Sequence, residues 1–139
     1  MITPDLLAAY HATRYVVTDG GDRVTILIAQ ASHEVDRLLR HHGVDRGAVV
    51  TAWNPYSRST DCALNRSQGQ ALERESRDRG WAFLPTCAEA QDPCWNEDGI
   101  LLLGIDEATA QELGRAYKQN AIVYVEIGTA ARLLVLTTV

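Results

Sequence analysis

The chain has 139 residues, a formal net charge of −5 and a pI near 5.3, with 46% apolar and 22% charged residues. This length fits a single domain over residues 1–139 with a core of its own, and the composition excludes disordered, collagen-like and disulfide-rich classes. The arginines are scattered and Lys118 is the one lysine, so general nucleic-acid binding is disfavoured. Apolar runs reach about six residues, too few to span a membrane.

The sequence contains three cysteines: Cys62, Cys87 and Cys94. Their number is odd and no Cys-x-x-Cys pair occurs, so we expect free thiols, no bound zinc and no other metal site. Free thiols are typical of a reducing compartment, and the N-terminal residues do not resemble a secretion signal. We therefore expect a cytoplasmic protein.

The first half of the chain alternates helix and strand signals. Thr3-Pro4-Asp5 is typical of a helix start, and the β-branched segments 14–18 and 23–29 flank a Gly-Gly turn that predicts a hairpin. Ser32 caps a predicted helix that ends near Gly43. The apolar segment 48–53 predicts a strand buried on both faces, and Thr60 or Asp61 then caps a long helix that ends at Gly80.

The second half continues the same pattern. Residues 81–86 predict a short strand, 87–98 an irregular stretch with Trp95 inside it, and 100–105 a buried strand. Asp106 caps a fourth helix through Tyr117, and strands at 121–127 and 132–138 follow. The order α-β-β-α-β-α-β-β-α-β-β predicts an α/β fold with a mixed sheet of about six or seven strands covered by helices.

The segment 54–58, between a buried strand and a long helix, is the leading candidate for a binding site. Ligands of open α/β sheets bind beyond the carboxyl ends of strands, and a helix N-terminus favours an anion. Ser57 offers a hydroxyl, Arg58 a bidentate charge and Tyr56 a stacking face. Asn54-Pro55 is equally an ordinary turn signal, so a structural corner is the competing interpretation.

Four blocks of residues together resemble a bacterial family of unknown function, the domain family numbered 3293. They are 9–15 (AYHATRY), 51–57 (TAWNPYS), 95–97 (WNE) and 119–124 (QNAIVY). Lys118 stands where this family usually has glycine, and Asp98-Gly99 stands in place of Glu-Ser. The resemblance spans nearly the whole chain and implies one intact domain, but it carries no established activity.

Four further polar residues belong to the candidate site. Asn65 lies in the first turns of the long helix, and Glu97 is either a general base made less acidic by burial or an ion-pair partner of Arg58. Gln119 and Asn120 follow the fourth helix, where they either recognise a ligand or form a helix C-cap. The predicted ligand-binding residues are therefore Asn54, Tyr56, Ser57, Arg58, Asn65, Glu97, Gln119 and Asn120.

Two functions from different classes fit these residues. The first is a cytoplasmic domain that binds a small anionic molecule or nucleotide at the 54–58 segment. The second is a non-catalytic accessory or protein-interaction domain, because no complete nucleophile–base or metal set is present. The sequence identifies no cofactor or reaction, and it leaves enzyme activity and homo-oligomer formation open. Convergence of the polar residues on one place in the fold would favour the first function.

Overall fold

The computed structural model describes residues 2–90 and 96–137. Cys94 and Trp95 lie outside this part of the chain. Within it the predicted order of helices and strands is confirmed. The elements are α1 (Pro4–Ala12), β1 (Arg14–Asp19), β2 (Asp22–Ile26), α2 (His33–His41), β3 (Arg46–Val50), a 3-10 turn (Pro55–Ser57), α3 (Cys62–Asp78), β4 (Phe83–Glu89), β5 (Asn96–Leu103), α4 (Glu107–Ala116), β6 (Ala121–Glu126) and β7 (Arg132–Val135).

Three of the helices begin at the side-chain caps that the sequence predicts. The side-chain oxygens of Thr3, Ser32 and Asp106 accept hydrogen bonds from backbone N–H groups three residues ahead, at 3.2, 3.3 and 2.8 Å. Helix α3 differs, because the side chain of its N-cap residue Asp61 makes no capping hydrogen bond. No helix in the described part of the chain is long and apolar enough to cross a membrane.

The seven strands form one sheet in the order β2-β1-β4-β5-β3-β6-β7. All pairings between these strands are antiparallel, so the sheet is more uniform than the mixed arrangement we expected. The reason lies in the connections. Helix α3 joins β3 to β4, which run in the same direction, but β5 lies between them. Helix α4 likewise joins β5 to β6 across β3.

The sheet is curled and has a core on each face. An isolated parallel bridge between Ile28 and Ala131 brings together the segments next to the two edge strands. On one face, Val49, Leu101 and Val123 pack with α2, and on the other face their neighbours along each strand pack with α3 and α4. The central strands are therefore buried on both sides, as their apolar sequences predict.

Four of the six residues we expected in the core are buried: Val49, Leu101, Ile122 and Val123. Trp53 and Leu103 are half-buried, which corrects the prediction for these two. Strand β3 ends at Val50, so Trp53 lies beyond the sheet in the connection to α3. Leu103 is the last residue of β5 and pairs with Gly47 at the end of the ladder.

The segment 87–98 is more regular than predicted. Residues at both of its ends form a ladder between β4 and β5, in which Cys87 pairs with Asp98 and Glu89 with Asn96. These residues lack the β-branched alternation that marks a strand in a sequence, and pairing with a neighbouring strand stabilises their extended backbone instead. The added length of β5 places Glu97 inside the sheet.

Candidate functional site

One end of the sheet gathers most of the predicted site residues. Because neighbouring strands are antiparallel, the carboxyl end of β3 lies beside the amino ends of β5 and β6. The 54–58 loop therefore meets Glu97 at the start of β5 and Gln119 and Asn120 just before β6. This strand arrangement explains why residues far apart in the chain converge.

The loop has an unusual backbone. Asn54, Tyr56 and Ser57 have positive φ angles of 48°, 55° and 60°, in the left-handed region that residues other than glycine rarely adopt. Each such residue costs about 1–3 kcal/mol, so neighbouring contacts must maintain the conformation. Two backbone hydrogen bonds contribute, since Tyr56 N–H donates to the Lys118 carbonyl at 2.7 Å and Ser57 N–H to that of Asn54 at 2.8 Å.

Asn54 and Asn65 form the buried centre of the site, with 7% and 3% of their surface exposed. The Asn54 N–H donates to Asn65 Oδ1 at 2.9 Å, and Asn65 Nδ2 donates back to Asn54 Oδ1 at 3.0 Å. Asn54 Oδ1 also accepts from the Thr60 N–H at 3.0 Å, and Asn65 Nδ2 donates to the Thr60 carbonyl at 3.1 Å. This pair of amides ties the loop to the first turn of α3.

Glu97 binds the opposite side of the same asparagine. Asn54 Nδ2 donates to Glu97 Oε2 at 2.8 Å, so the carboxyl group pairs with Asn54 and not with Arg58. Burial raises the pKa of Glu97 to about 7 from its usual 4.5, and the hydrogen bond from Asn54 opposes this shift only in part. Both protonation states of Glu97 are therefore populated near neutral pH.

A second set of hydrogen bonds surrounds Ser57. Asn120, which is 2% exposed, donates from Nδ2 to Ser57 Oγ at 2.9 Å, and the Tyr10 hydroxyl lies 3.0 Å from the same oxygen. Gln119 Nε2 donates to the Trp53 carbonyl at 3.1 Å. Tyr10 was absent from our predicted site, although the block 9–15 contains it.

Seven residues thus form what we call the polar cluster. No buried side-chain nitrogen or oxygen among the described residues lacks a hydrogen-bond partner, so the cluster is satisfied internally. Its amide and hydroxyl groups stabilise the shape of the loop. The members of the cluster are Tyr10, Asn54, Ser57, Asn65, Glu97, Gln119 and Asn120.

Two predicted site residues, Tyr56 and Arg58, lie outside the polar cluster. The side chain of Tyr56 is 49% exposed on the outer surface of the loop. Arg58 is also exposed, and its side chain makes no hydrogen bond or ion pair with another described residue. The structure therefore does not bring the Arg58 guanidinium group to Glu97.

A concave surface of about 190 Å³, which we call the Lys118 groove, lies between the loop, α3 and the end of α4. Its walls include Pro55 and Thr60 from the loop, Asn65 and Gln68 from α3, and Lys118. Among the described residues that line it, Lys118 is the one that carries a charge. Lys118 was absent from the predicted site, although it lies next to Gln119, which was part of it.

The end of α4 differs from the predicted C-cap, because its left-handed residue is Lys118. We considered Gln119 and Asn120 for this role, but Lys118 has the left-handed φ of 58°. Lys118 N–H donates to the Arg115 carbonyl and Gln119 N–H to the Gly114 carbonyl, both at 3.0 Å. This pair of bonds is the Schellman motif, which favours glycine at the left-handed position.

Other cavities carry carboxylates or lack a charged wall. The cavity on the opposite side of α3 contains Arg66 together with Glu73 and Asp98. A third, between the β1–β2 hairpin and α2, is lined by three acids together with Arg23 and Arg37. The described residues contain no group of three or more His, Cys, Asp or Glu side chains arranged to hold a metal ion.

The fold and the site define a class of protein: an α/β domain with a curled antiparallel sheet and a hydrogen-bonded polar cluster at one end of it. The family model described as "Protein of unknown function (DUF3293)" matches residues 50–122. This match covers just over half of the chain, so the protein belongs to that family. No curated protein and no solved structure matches the chain.

Proposed function

We propose that this protein binds a small anionic molecule in the Lys118 groove, beside the loop that the polar cluster stabilises. The observation that supports this most is the charge of the groove, since Lys118 lines it and no carboxylate from the described residues does. A lysine that lines a concave surface attracts phosphate or carboxylate groups. The Gln68 amide lines the same groove and supplies further hydrogen-bonding groups.

The rim of the groove suggests what the rest of the ligand is like. Tyr56 and Leu64 are 49% and 50% exposed, and the Tyr56 N–H is bonded directly to the Lys118 carbonyl. An exposed aromatic ring next to an anion site favours a ligand with a planar or apolar body, as in a nucleotide. In this proposal the groove, with a volume of about 190 Å³, holds the anionic group of the ligand, and the planar or apolar part of the ligand extends over Tyr56.

A thermal-shift screen with phosphate, sulfate, nucleotides and small carboxylates, followed by calorimetry, tests this proposal. A ligand at 100 times its Kd adds about 2.7 kcal/mol of stability. We expect Lys118→Ala to abolish the shift. The matched control Arg115→Ala removes an exposed cation of α4 that does not line the groove, and it should bind like the parent protein. Equal losses in both variants, or no ligand at all, would contradict the proposal.

The second candidate is a protein-interaction domain, and the exposed side chains of Tyr56 and Leu64 favour it. Large apolar side chains that remain exposed are typical of contact surfaces. Light scattering of the parent protein and of a Tyr56→Ser/Leu64→Ser variant separates the two functions. A homo-oligomer that the double variant dissociates supports the interaction function, whereas unchanged mass together with lost ligand binding supports the first proposal.

We further propose that the protein is bacterial and acts in the cytoplasm. Cys62 and Cys87 carry free thiols, which agrees with a reducing compartment. The resemblance to a bacterial family supports the origin. The net charge of −5 argues against nucleic acid as the partner. Labelling of thiols in intact cells and in lysate would test the compartment.

A further inference from the structure

Glu97 is connected to the Lys118 groove through a single side chain. Its Oε2 accepts from Asn54 Nδ2 at 2.8 Å, and Asn54 Oδ1 accepts from Thr60 N–H and Asn65 Nδ2, both at 3.0 Å. Thr60 and Asn65 form part of the groove wall. Two hydrogen bonds and one amide group therefore separate the carboxyl group from the groove, a path of about 8 Å.

The surroundings of Glu97 leave its charge uncompensated. Tyr10 from α1 and Tyr15 from β1 face it, and burial and the Glu97 charge raise the pKa of both phenols, so they remain neutral. On β4, Glu89 is occupied by an ion pair of 2.9 Å with Arg14 of β1. Asp98, the next residue of β5, lies on the opposite face of the strand. No described residue forms an ion pair with Glu97.

We propose that binding of an anion in the Lys118 groove is coupled to uptake of a proton by Glu97. This inference rests on the proposed function. An anion in the groove and a Glu97 carboxylate are like charges at the two ends of this path of about 8 Å, in a partly buried region where solvent screens them poorly. Protonation of Glu97 removes this repulsion and so strengthens anion binding. By thermodynamic linkage, the bound anion raises the affinity of Glu97 for its proton by the same factor.

The coupling operates across neutral pH. The pKa of Glu97 lies near 7 before any anion binds, so the fraction of carboxylate changes greatly between pH 6 and pH 8. Repulsion at this distance with an effective dielectric constant of about 20 to 40 corresponds to about a tenfold difference in affinity. The protein would therefore bind its ligand more tightly as the pH falls.

The test measures sulfate binding by calorimetry at pH 6 and pH 8, because sulfate keeps its charge over this range. We expect the parent protein to bind about five to ten times more tightly at pH 6 than at pH 8, because protonation of Glu97 is incomplete at both pH values. Glu97→Gln should bind equally well at both pH values, since Gln stays neutral and still accepts from Asn54. Glu89→Gln, the same change on the neighbouring strand, should behave like the parent.

A pH dependence that persists in Glu97→Gln overturns the coupling, while sulfate binding that depends on Lys118 still supports the proposed function. Sulfate binding that is absent, or unchanged in Lys118→Ala, overturns both. A second measurement uses the parent protein alone, in case the variant does not fold. Calorimetry at pH 7 in two buffers of different ionisation enthalpy should show proton uptake on binding, and zero uptake overturns the coupling.

Discussion

Replacing Lys118 by glycine should stabilise the fold and abolish anion binding at the same time. Lys118 is the left-handed residue of the Schellman motif that ends α4, with φ 58°. A side chain in this conformation destabilises the folded state by about 1–2 kcal/mol, and glycine removes this cost. Glycine also gives the unfolded chain more conformational entropy, which offsets about 0.5–1 kcal/mol of the stabilisation. Because Lys118 is exposed, its loss removes little packing. The net stabilisation is about 1 kcal/mol, or about 3–4 °C in Tm.

Urea unfolding and thermal melts measure this effect, and Lys118→Ala is its matched control. Alanine has the same left-handed cost as lysine, so Lys118→Ala should unfold at the parent Tm, whereas both variants lose the groove cation. The two variants therefore differ in stability and agree in ligand binding. A Lys118→Gly variant no more stable than Lys118→Ala would refute the backbone argument. Undiminished anion binding in either variant would refute the role of the ammonium group.

Three further predictions concern the fold. Leu101 is fully buried at the centre of the sheet, so Leu101→Ala should cost about 2–5 kcal/mol in urea unfolding. In Gly114→Ala the added Cβ would lie 2.5 Å from Leu136 Cδ1 and 2.8 Å from Ile122 Cγ2. This crowding should lower the free energy of unfolding by about 1–2 kcal/mol, although alanine has a better helix propensity than glycine. The raised pKa of Glu97 means that the folded state holds a proton between pH 4.5 and 7 that the unfolded state loses. The free energy of unfolding should therefore fall by about 3 kcal/mol as the pH rises through this range, and Glu97→Gln should remove the slope.

The order of elements was predictable because each one has a local signal. Thr3, Ser32 and Asp106 are caps whose hydrogen bonds form within one helical turn, and the Gly-Gly turn lies between two β-branched segments. The pairing of strands has no such local signal. Insertion of β5 between β3 and β4 depends on contacts between distant parts of the chain, so the sequence left the antiparallel arrangement undetermined.

The site was predictable in part, for a related reason. Asn54 and Asn120 stood out as polar residues next to apolar strands, and Asn65 stood out in the first turns of the helix that follows the loop. The structure joins Asn54 to Asn65 and Asn120 to Ser57 by hydrogen bonds. Arg58 stood out by its charge, yet it is exposed and its side chain makes no hydrogen bond or ion pair with another described residue. Lys118 was missed because its place beside the groove depends on the Schellman turn and on the packing of α3 against the loop. The presence of a lysine in the sequence does not reveal either feature.

The internal satisfaction of the polar cluster limits how the protein can recognise a ligand. Asn54 and Asn65 already use their amide groups to hold three left-handed residues of the loop, so contact with a ligand through them would break existing hydrogen bonds. On the proposed function, recognition would therefore use groups whose side chains reach solvent, chiefly Lys118 and Tyr56. An apolar core would fold as well at this end of the sheet, but it would not fix the loop that places these two residues side by side. On the proposed function, the polar cluster would thus act on binding through the shape of the loop, and Glu97 would be the member that acts through its charge.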